Sequence, residues 1–390
     1  MKAQPLWLGA LIAMAIVGCH ESSDKKSTET SSAPASLSPV PNLKAFETEI
    51  KRNLRTIGSL NAVPPGDVVA FNQFSSQVDP ISEGDTASSA NGAEPPSFSQ
   101  TNVQETGVDE SDRVKFDGRF LFVAKQEVQN WFAPLAIEDG GGVSLYDGSV
   151  RIFETHSNPP TAVDVGSIAL PGRGITGMYL HAAANNGPHT LAIMSYGLMP
   201  ELSDWYSMSV WGGESNFQVD LQDVTNPLAR MATKTISIDG NYLDSRKIDN
   251  HLYVISRYFP VIDTFQPYPV DAAVAEHNAA VVDALDVESL VSKISINGGP
   301  RQSMVTAEHC LVPGGSLSDV SYLPFIITVT TIDLENPDQV QVNCMVGEAT
   351  GIYASRDHLY VLGLFGGDST IVHQFNFTTA GAEYQATGSI

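Results

Sequence analysis

The chain has 390 residues, 42% of them apolar and only 17% charged, with 21 basic residues against 44 acidic and a formal net charge of −23. That much acid repels a phosphate backbone, which excludes sequence-independent nucleic-acid binding, and the apolar content is too high for overall disorder. Three cysteines exclude a disulfide-dense scaffold and a four-cysteine zinc site. The length suits two or three domains, or one large all-β domain with irregular extras.

Lys2 precedes an uncharged apolar run, Leu6 to Val17, of 12 residues. This is too short to cross ~30 Å of hydrocarbon as a helix but suits a secretory signal. It ends in Ile16-Val17-Gly18-Cys19, which resembles a bacterial lipobox. Residues 1–18 then read as a lipoprotein signal peptide, with Cys19 lipidated and first in the mature chain. The alternative is an ordinary signal peptide with an incidental cysteine. His20, where an aspartate would retain a lipoprotein at the inner membrane, implies the outer membrane of a Gram-negative bacterium. The expected location is extracytoplasmic, with the membrane as a partner through the lipid anchor. Residues 19–40, rich in Ser, Thr and Pro without an aromatic residue, read as a disordered tether.

Leu43, Phe46, Ile50, Leu54 and Ile57 fall on one helical face, which predicts an amphipathic helix over 41–60. It either docks on the main domain or lies on a membrane surface. Residues 61–104, rich in Ser, Gly, Pro and acids, read as linker.

From about Arg113 short β-branched and aromatic runs alternate with turn signals, Asp-Gly or Asp-Asn, at 117–118, 147–148 and 249–250. The runs repeat. Asp223-Val-Thr-Asn-Pro227 recurs as Asp333-Leu-Glu-Asn-Pro337, and Ser245-Arg246 as Ser355-Arg356, each 110 residues later; His251-Leu-Tyr-Val254 recurs as His358-Leu-Tyr-Val361. A weaker copy holds Asn158-Pro159 and Gly177-Met-Tyr179. The Gly-x-Tyr members are 177–179, 240–242 and 351–353. A four-stranded unit of ~40–45 residues with two apolar faces must stack on its neighbours, which is the logic of a β-propeller blade. The surplus length falls at 198–216 and 258–322, read as insertions. In the second, Asp286 caps a helix carrying Val287, Leu290, Val291 and Ile294, and the alanine-rich 271–285 is also helical. Val150–Phe153 with Gly166-Ser-Ile168 matches Ile371–Phe375 with Gly388-Ser-Ile390 at a common spacing of 13. Val114–Val123 resembles the closing hairpin of a blade. The expectation is three units and two part-units: either the ends complete one blade, or later blades are missing.

Gly107-Val-Asp-Glu110 followed by Ser111-Asp-Arg-Val-Lys-Phe-Asp-Gly118, with Ile238–Arg246, resembles signatures of a family of secreted bacterial proteins. That family carries a β-propeller domain distantly related to WD-type repeats. The resemblance covers about 105–390. It implies an all-β propeller of four-stranded antiparallel blades, incomplete in this chain and truncated at its C-terminus, with a short N-terminal helix and a helical insertion. Arg113 stands where the family often has an apolar residue, and the 198–216 insertion looks particular to this chain. No general activity transfers from the family.

No local signature of a nucleophile elbow, zinc protease, phosphate loop or calcium loop is present, so no catalytic residue, metal or cofactor is assigned. His181 and His189 are either a hairpin metal pair or ordinary loop histidines. His251 and His358 hold equivalent repeat positions, as do Arg246 and Arg356, which points to structure. Asp109, Glu110 and Asp112 form an acidic cluster, read as a salt-bridged entry strand against acid–base or Ca²⁺ roles. The insertion at 198–216 concentrates Trp205, Tyr206 and Trp211, a candidate ligand-contacting loop or a covering one. With Cys19 lipidated, Cys310 and Cys344 remain, and an oxidising compartment predicts a disulfide between them.

Two functions stay open. One is a lipid-anchored binding or scaffolding module for a protein or small-molecule ligand. The other is a propeller-type hydrolase with its site at the central channel. The missing nucleophile signature favours the first.

Overall fold

The computed structural model describes residues 36–62, 105, 107–128, 146–183, 187–197, 216–315, 323–365, 369–378 and 381–390. Four consecutive antiparallel sheets follow one another along the chain. Blade I holds β3 (Val114–Phe116), β4 (Phe120–Val128), β5 (Tyr146–Ser157) and β6 (Pro160–Pro171). Blade II holds β7 (Arg173–Ala182), β8 (His189–Gly197), β9 (Asn216–Asp223) and β10 (Met231–Asp239). Blade III holds β11 (Asn241–Ile248), β12 (His251–Tyr258), β16 (Ile326–Asp333) and β17 (Val340–Val346). Blade IV holds β18 (Gly351–Ala354), β19 (His358–Phe365), β20 (Ser369–Thr378) and β21 (Gly381–Ser389).

The stacking follows from strands that are apolar on both faces. In β8, Leu191 and Ile193 join Phe122, Val150 and Ile152 of blade I. Ala192 and Met194, alternating with them, join Leu252, Val254 and Ile332 of blade III. In β12, Tyr253 and Ile255 turn to the next layer, with Leu359, Val361 and Phe375 of blade IV. Because successive residues of a strand face opposite sides, a run without polar alternation is the mark of a blade buried on both sides. At each described junction the turn between the last two strands of one blade, or the last strand itself, grips the outer strand of the blade before it. Arg230 donates to the Ser167 carbonyl. Lys234 donates to the Pro337 carbonyl at 2.6 Å and to Asp338. The Ala382 amide donates to Asn343 at 3.3 Å.

Asn158, Asn226 and Asn336 sit at equivalent turns, between β5 and β6, β9 and β10, and β16 and β17. Asp223 accepts from the Thr225 amide and Asp333 from the Glu335 amide, both at 2.9 Å, so the 110-residue repeat is a repeated side-chain-closed turn. Three expectations are corrected. The hairpin at 114–123 opens blade I instead of closing a blade. The strands at 371–390 complete the blade that Gly351 opens, so the two chain ends belong to separate sheets. Asp147-Gly148 is no turn but lies within β5. A Cβ on Gly148 would stand 2.6 Å from the Arg173 carbonyl oxygen, so the glycine serves close approach of blade II.

The remaining elements cover the outer edges of blades II and III. The insertion leaves after β12 and runs through α2 (Ala272–Ala284), capped by Asp271, and α3 (Val287–Leu290), capped by Asp286 as expected; the longer helix expected there is corrected, since Val291 ends α3 and Ile294 lies in a strand. Its β13 (Lys293–Ile296) pairs with β10, and β14 (Gln302–Ser303) with β13. Its β15 (Cys310–Gly314) returns parallel to β17, with Cys310 opposite Cys344. The two cysteines are bridged, Cα to Cα 4.5 Å. β1 (Ser36–Pro39) then pairs antiparallel with β15. This corrects the tether over residues 36–40, residues 19–35 lying outside the described residues: Leu37 and Val40 are buried, and the open edge of β15 supplies the backbone partners the segment lacks alone. The helix expected over 41–60 is α1 (Leu43–Ile57), capped by Asn42 and burying Phe46, Ile50, Leu54 and Ile57 in the blade III–IV core. Lys51 of α1 reaches the Leu285 carbonyl at 2.5 Å.

A hydrogen-bond chain ties β1 to blade IV. The Leu37 amide donates to the Tyr384 hydroxyl at 3.0 Å; that hydroxyl meets Thr387 Oγ1 at 2.7 Å, which meets His373 Nδ1 at 2.8 Å. Burial pushes His373 down to about 4.

Two outcomes follow. The Cys310→Ser/Cys344→Ser double variant frees a loop of 34 residues and should lose about 3–4 kcal/mol in urea unfolding, with new proteolytic cuts inside 259–309. His373 is neutral when folded and titrates at its ordinary value when unfolded. Its contribution is therefore complete above pH ~6.5 and is lost as pH falls toward ~4, on the order of 3 kcal/mol in all. His373→Gln should flatten that part of the curve of unfolding free energy against pH; an unchanged slope between pH 6.5 and 4.5 contradicts the assignment.

Candidate functional site

The polar groups gather on the innermost strands, along a segment that joins all four sheets. Ascending from residue 105, Glu105 accepts from the Tyr353 hydroxyl of blade IV. β2 (Val108–Glu110) pairs with β11 of blade III, Glu110 opposite Arg246 and Asp109 opposite Lys247. Asp112 bridges Met178 of blade II in backbone hydrogen bonds of 2.8 and 3.2 Å. The chain then enters blade I as β3. The segment thus crosses the inner edges in the reverse of their order in the sequence.

Its charges are answered in place. Lys115, only 1% exposed, holds Asp109 Oδ1 at 3.0 Å and the Glu110 carbonyl at 3.1 Å, with its Nζ 5.5 Å from the centre of the Tyr179 ring. Lys247 Nζ stands 4.0 Å from the other Asp109 oxygen. Burial pushes Lys247 down, Asp109 countering part of it. Arg246 binds Asp244 at 2.5 Å and faces Glu110 at 3.7 Å. Burial works against its charge, yet Asp244 and Glu110 more than offset that, and its pKa is raised. The acidic cluster of the sequence is therefore a paired entry strand, and Asp112 Oδ1 accepts the Arg113 amide at 2.6 Å.

Beside these charges lies a neutral network. Ser245 Oγ meets Tyr179 Oη at 2.9 Å and Tyr242 Oη at 2.8 Å, with Met194 Sδ at 3.3 Å. Tyr242 also bonds the Ser111 side chain. Burial raises the pKa of both tyrosines, so neither takes a proton from Ser245 at neutral pH. The arrangement holds two blades and the crossing segment in register and does not activate a nucleophile.

The glycines of Gly-x-Tyr have separate reasons. A Cβ on Gly177 would stand 2.7 Å from Ser111 Cβ, where the crossing segment lies against β7. Gly240 has φ +104°. Gly351 has ordinary space, its nearest neighbour at 3.8 Å.

His181 and His189 do not converge. His181 is opposite Thr190 and His189 opposite Ala182, so the two rings stand on opposite faces. His181 instead meets Glu335 of blade III at 3.2 Å, and burial pushes its pKa down. Among the described residues no three His, Cys, Asp or Glu side chains gather to hold a metal. His251 and His358 are alike, their rings 6.2 and 6.1 Å from Tyr253 and Tyr360. Arg246 and Arg356 are not: Arg246 is buried, and Arg356 is exposed and 3.8 Å from Asp249 across to blade III. Cys19, Trp205, Tyr206 and Trp211 lie outside the described residues. Lys115, Ser111 and Ser245 carried no assigned role in the sequence, although all three lie within the stretches 107–118 and 238–246 that bear the family resemblance.

Four-stranded blades stacked in order along a shared inner seam define a β-propeller domain. Residues 98–390 match the family model described as a beta propeller domain, and the chain belongs to that family. No curated protein matches it.

Gly177→Ala should cost about 1–3 kcal/mol through the collision with Ser111, and should lower the unfolding midpoint accordingly. Gly351→Ala should be neutral or stabilising by up to ~1 kcal/mol. Equal effects would contradict the crossing-segment contact.

Proposed function

We propose that the protein is an extracytoplasmic β-propeller acting as a binding or scaffolding module, held to a membrane by lipid on Cys19. The observation that carries the binding reading is the commitment of the inner polar groups to one another: Lys115, Asp109, Arg246, Glu110, Tyr179, Tyr242 and Ser245 are spent on blade registration. Recognition then belongs to loops on the rim, and the aromatic insertion with Trp205, Tyr206 and Trp211 is the proposed contact loop. The lipobox supports the anchor, and the resemblance of Gly107–Gly118 to secreted bacterial propellers supports the compartment.

The full-length protein, produced in a Gram-negative host with a photoreactive phenylalanine analogue at 205 or 206, should give a discrete crosslinked species. The same analogue at Val163, on the outer strand of blade I, should not. Intact mass should show acyl groups on Cys19, and Cys19→Ala should move the protein out of the membrane fraction. Hydrolysis of a generic ester or peptide substrate that disappears in Ser245→Ala would overturn the binding reading in favour of an axial enzyme.

A further inference from the structure

Arg173 opens β7 opposite Gly197, the last residue of β8, and Asn216 opens β9 beside it. The three positions line one end of blade II, where residues 198–215 leave the sheet and return to it. Arg173 is half-buried and held from one side. Its Nε donates to Ser195 Oγ at 2.8 Å and its Nη2 to the Ser195 carbonyl at 3.0 Å, and Ser195 is itself buried. These bonds take the side edge of the guanidinium. Its end edge, where Nη1 and Nη2 point two hydrogens outward in parallel, meets no acceptor among the described residues.

The acids nearby are engaged elsewhere. Asp220 accepts from Gln218 at 2.7 and 2.8 Å and from Thr235 at 2.9 Å. Asp147 of blade I accepts from the Gly172 amide at 3.0 Å. Burial pushes the Arg173 pKa down, and Asp220 offsets only part of that. Arg246 is the opposite case, its acids more than offsetting burial. A glycine opens beside the free edge. A Cβ on Gly197 would stand 3.5 Å from Arg173 Nη1 and 3.5 Å from Asn216 Oδ1, so both polar groups border a notch that the missing side chain leaves.

We infer that this notch binds a carboxylate, held by the end edge of Arg173 with the Asn216 carboxamide beside it. The inference rests on the binding reading above and supplies the chemistry of the ligand, an anionic group recognised at the stem of the aromatic insertion. A planar fork already fixed by Ser195 matches the two oxygens of a carboxylate and loses little freedom on binding. One cation, partly offset by Asp220, suits a monoanion better than a doubly charged phosphate.

The test titrates the full-length protein into para-fluorophenylacetate and into its neutral amide, with binding read from fluorine NMR line broadening. The acid should bind saturably, and the amide roughly tenfold or more weakly. Arg173→Gln should abolish the difference between them. Gly197→Ala keeps Arg173 and its bonds to Ser195. Its methyl has ordinary contact distances and no left-handed backbone to strain, so this variant should fold and lose affinity for the acid alone. N-acetylphenylalanine and glucuronate, compared as competitors, separate a peptide C-terminus from an acidic sugar as the source of the carboxylate. Equal binding of acid and amide, a difference that survives in Arg173→Gln, or undiminished acid binding by Gly197→Ala overturns the notch. A crosslink at 205 or 206 without carboxylate binding also overturns it and leaves the contact loop standing. Neither crosslink nor carboxylate binding overturns both.

Discussion

The arrangement depends on one segment meeting the inner edge of every described blade. An innermost strand presents a row of unpaired amides and carbonyls. Residues 105–113 answer part of that row in blades III and II, through β2 with β11 and Asp112 with Met178, and reach blade IV through the side chains of Glu105 and Tyr353. Lys115 is the hinge of this device. It arrives on β3 of blade I and neutralises Asp109 on a strand paired to blade III, so one buried ion pair couples sheets that are not neighbours in sequence. Buried charges of this kind are costly unless paired and hydrogen-bonded, and Asp109 and Lys115 have both. The pair therefore contributes more to specifying which edges meet than to net stability.

The outer edges are solved differently. Blades II and III are extended outward by strands from the insertion and, for blade III, from the N-terminal segment. In the blade III extension the parallel pairing of β15 with β17 is the shortest link, its register covering two residues, Cys310 and Leu311, against four for β1 with β15. A covalent bond stands at one of them. Everything farther out, β1 and the helix behind it, depends on that position. The disulfide stands at the shortest ladder of the blade III extension, and not merely where two cysteines remain.

Much of this was legible. Both-face apolar runs in β8, β12 and β16, the Asn-Pro turns and the helix of Leu43 to Ile57 are local patterns with local causes, and each marks its element in the sequence. The blade boundaries fall half a blade from where the repeat places them. Phe153–Gly166 and Phe375–Gly388 span equivalent third and fourth strands, β5 with β6 and β20 with β21, so a unit read from its third strand turns four blades into three units and two part-units. The inner seam was less legible still. Gly177 needs Ser111 beside it, and Ser245 needs Tyr179 from another blade; those partners are 66 residues apart or separated by a sheet. Asp147-Gly148 shows the converse error, a turn dipeptide used for close packing.

The same seam explains why a search for catalytic signatures finds so little to hold. A nucleophile needs a neighbour that takes its proton and an open side for the substrate. Ser245 has two hydroxyl neighbours that keep their own protons, and Tyr179 closes the space beside it as a fully buried ring. The polar side chains that converge nearest the axis are thereby consumed in holding blades together.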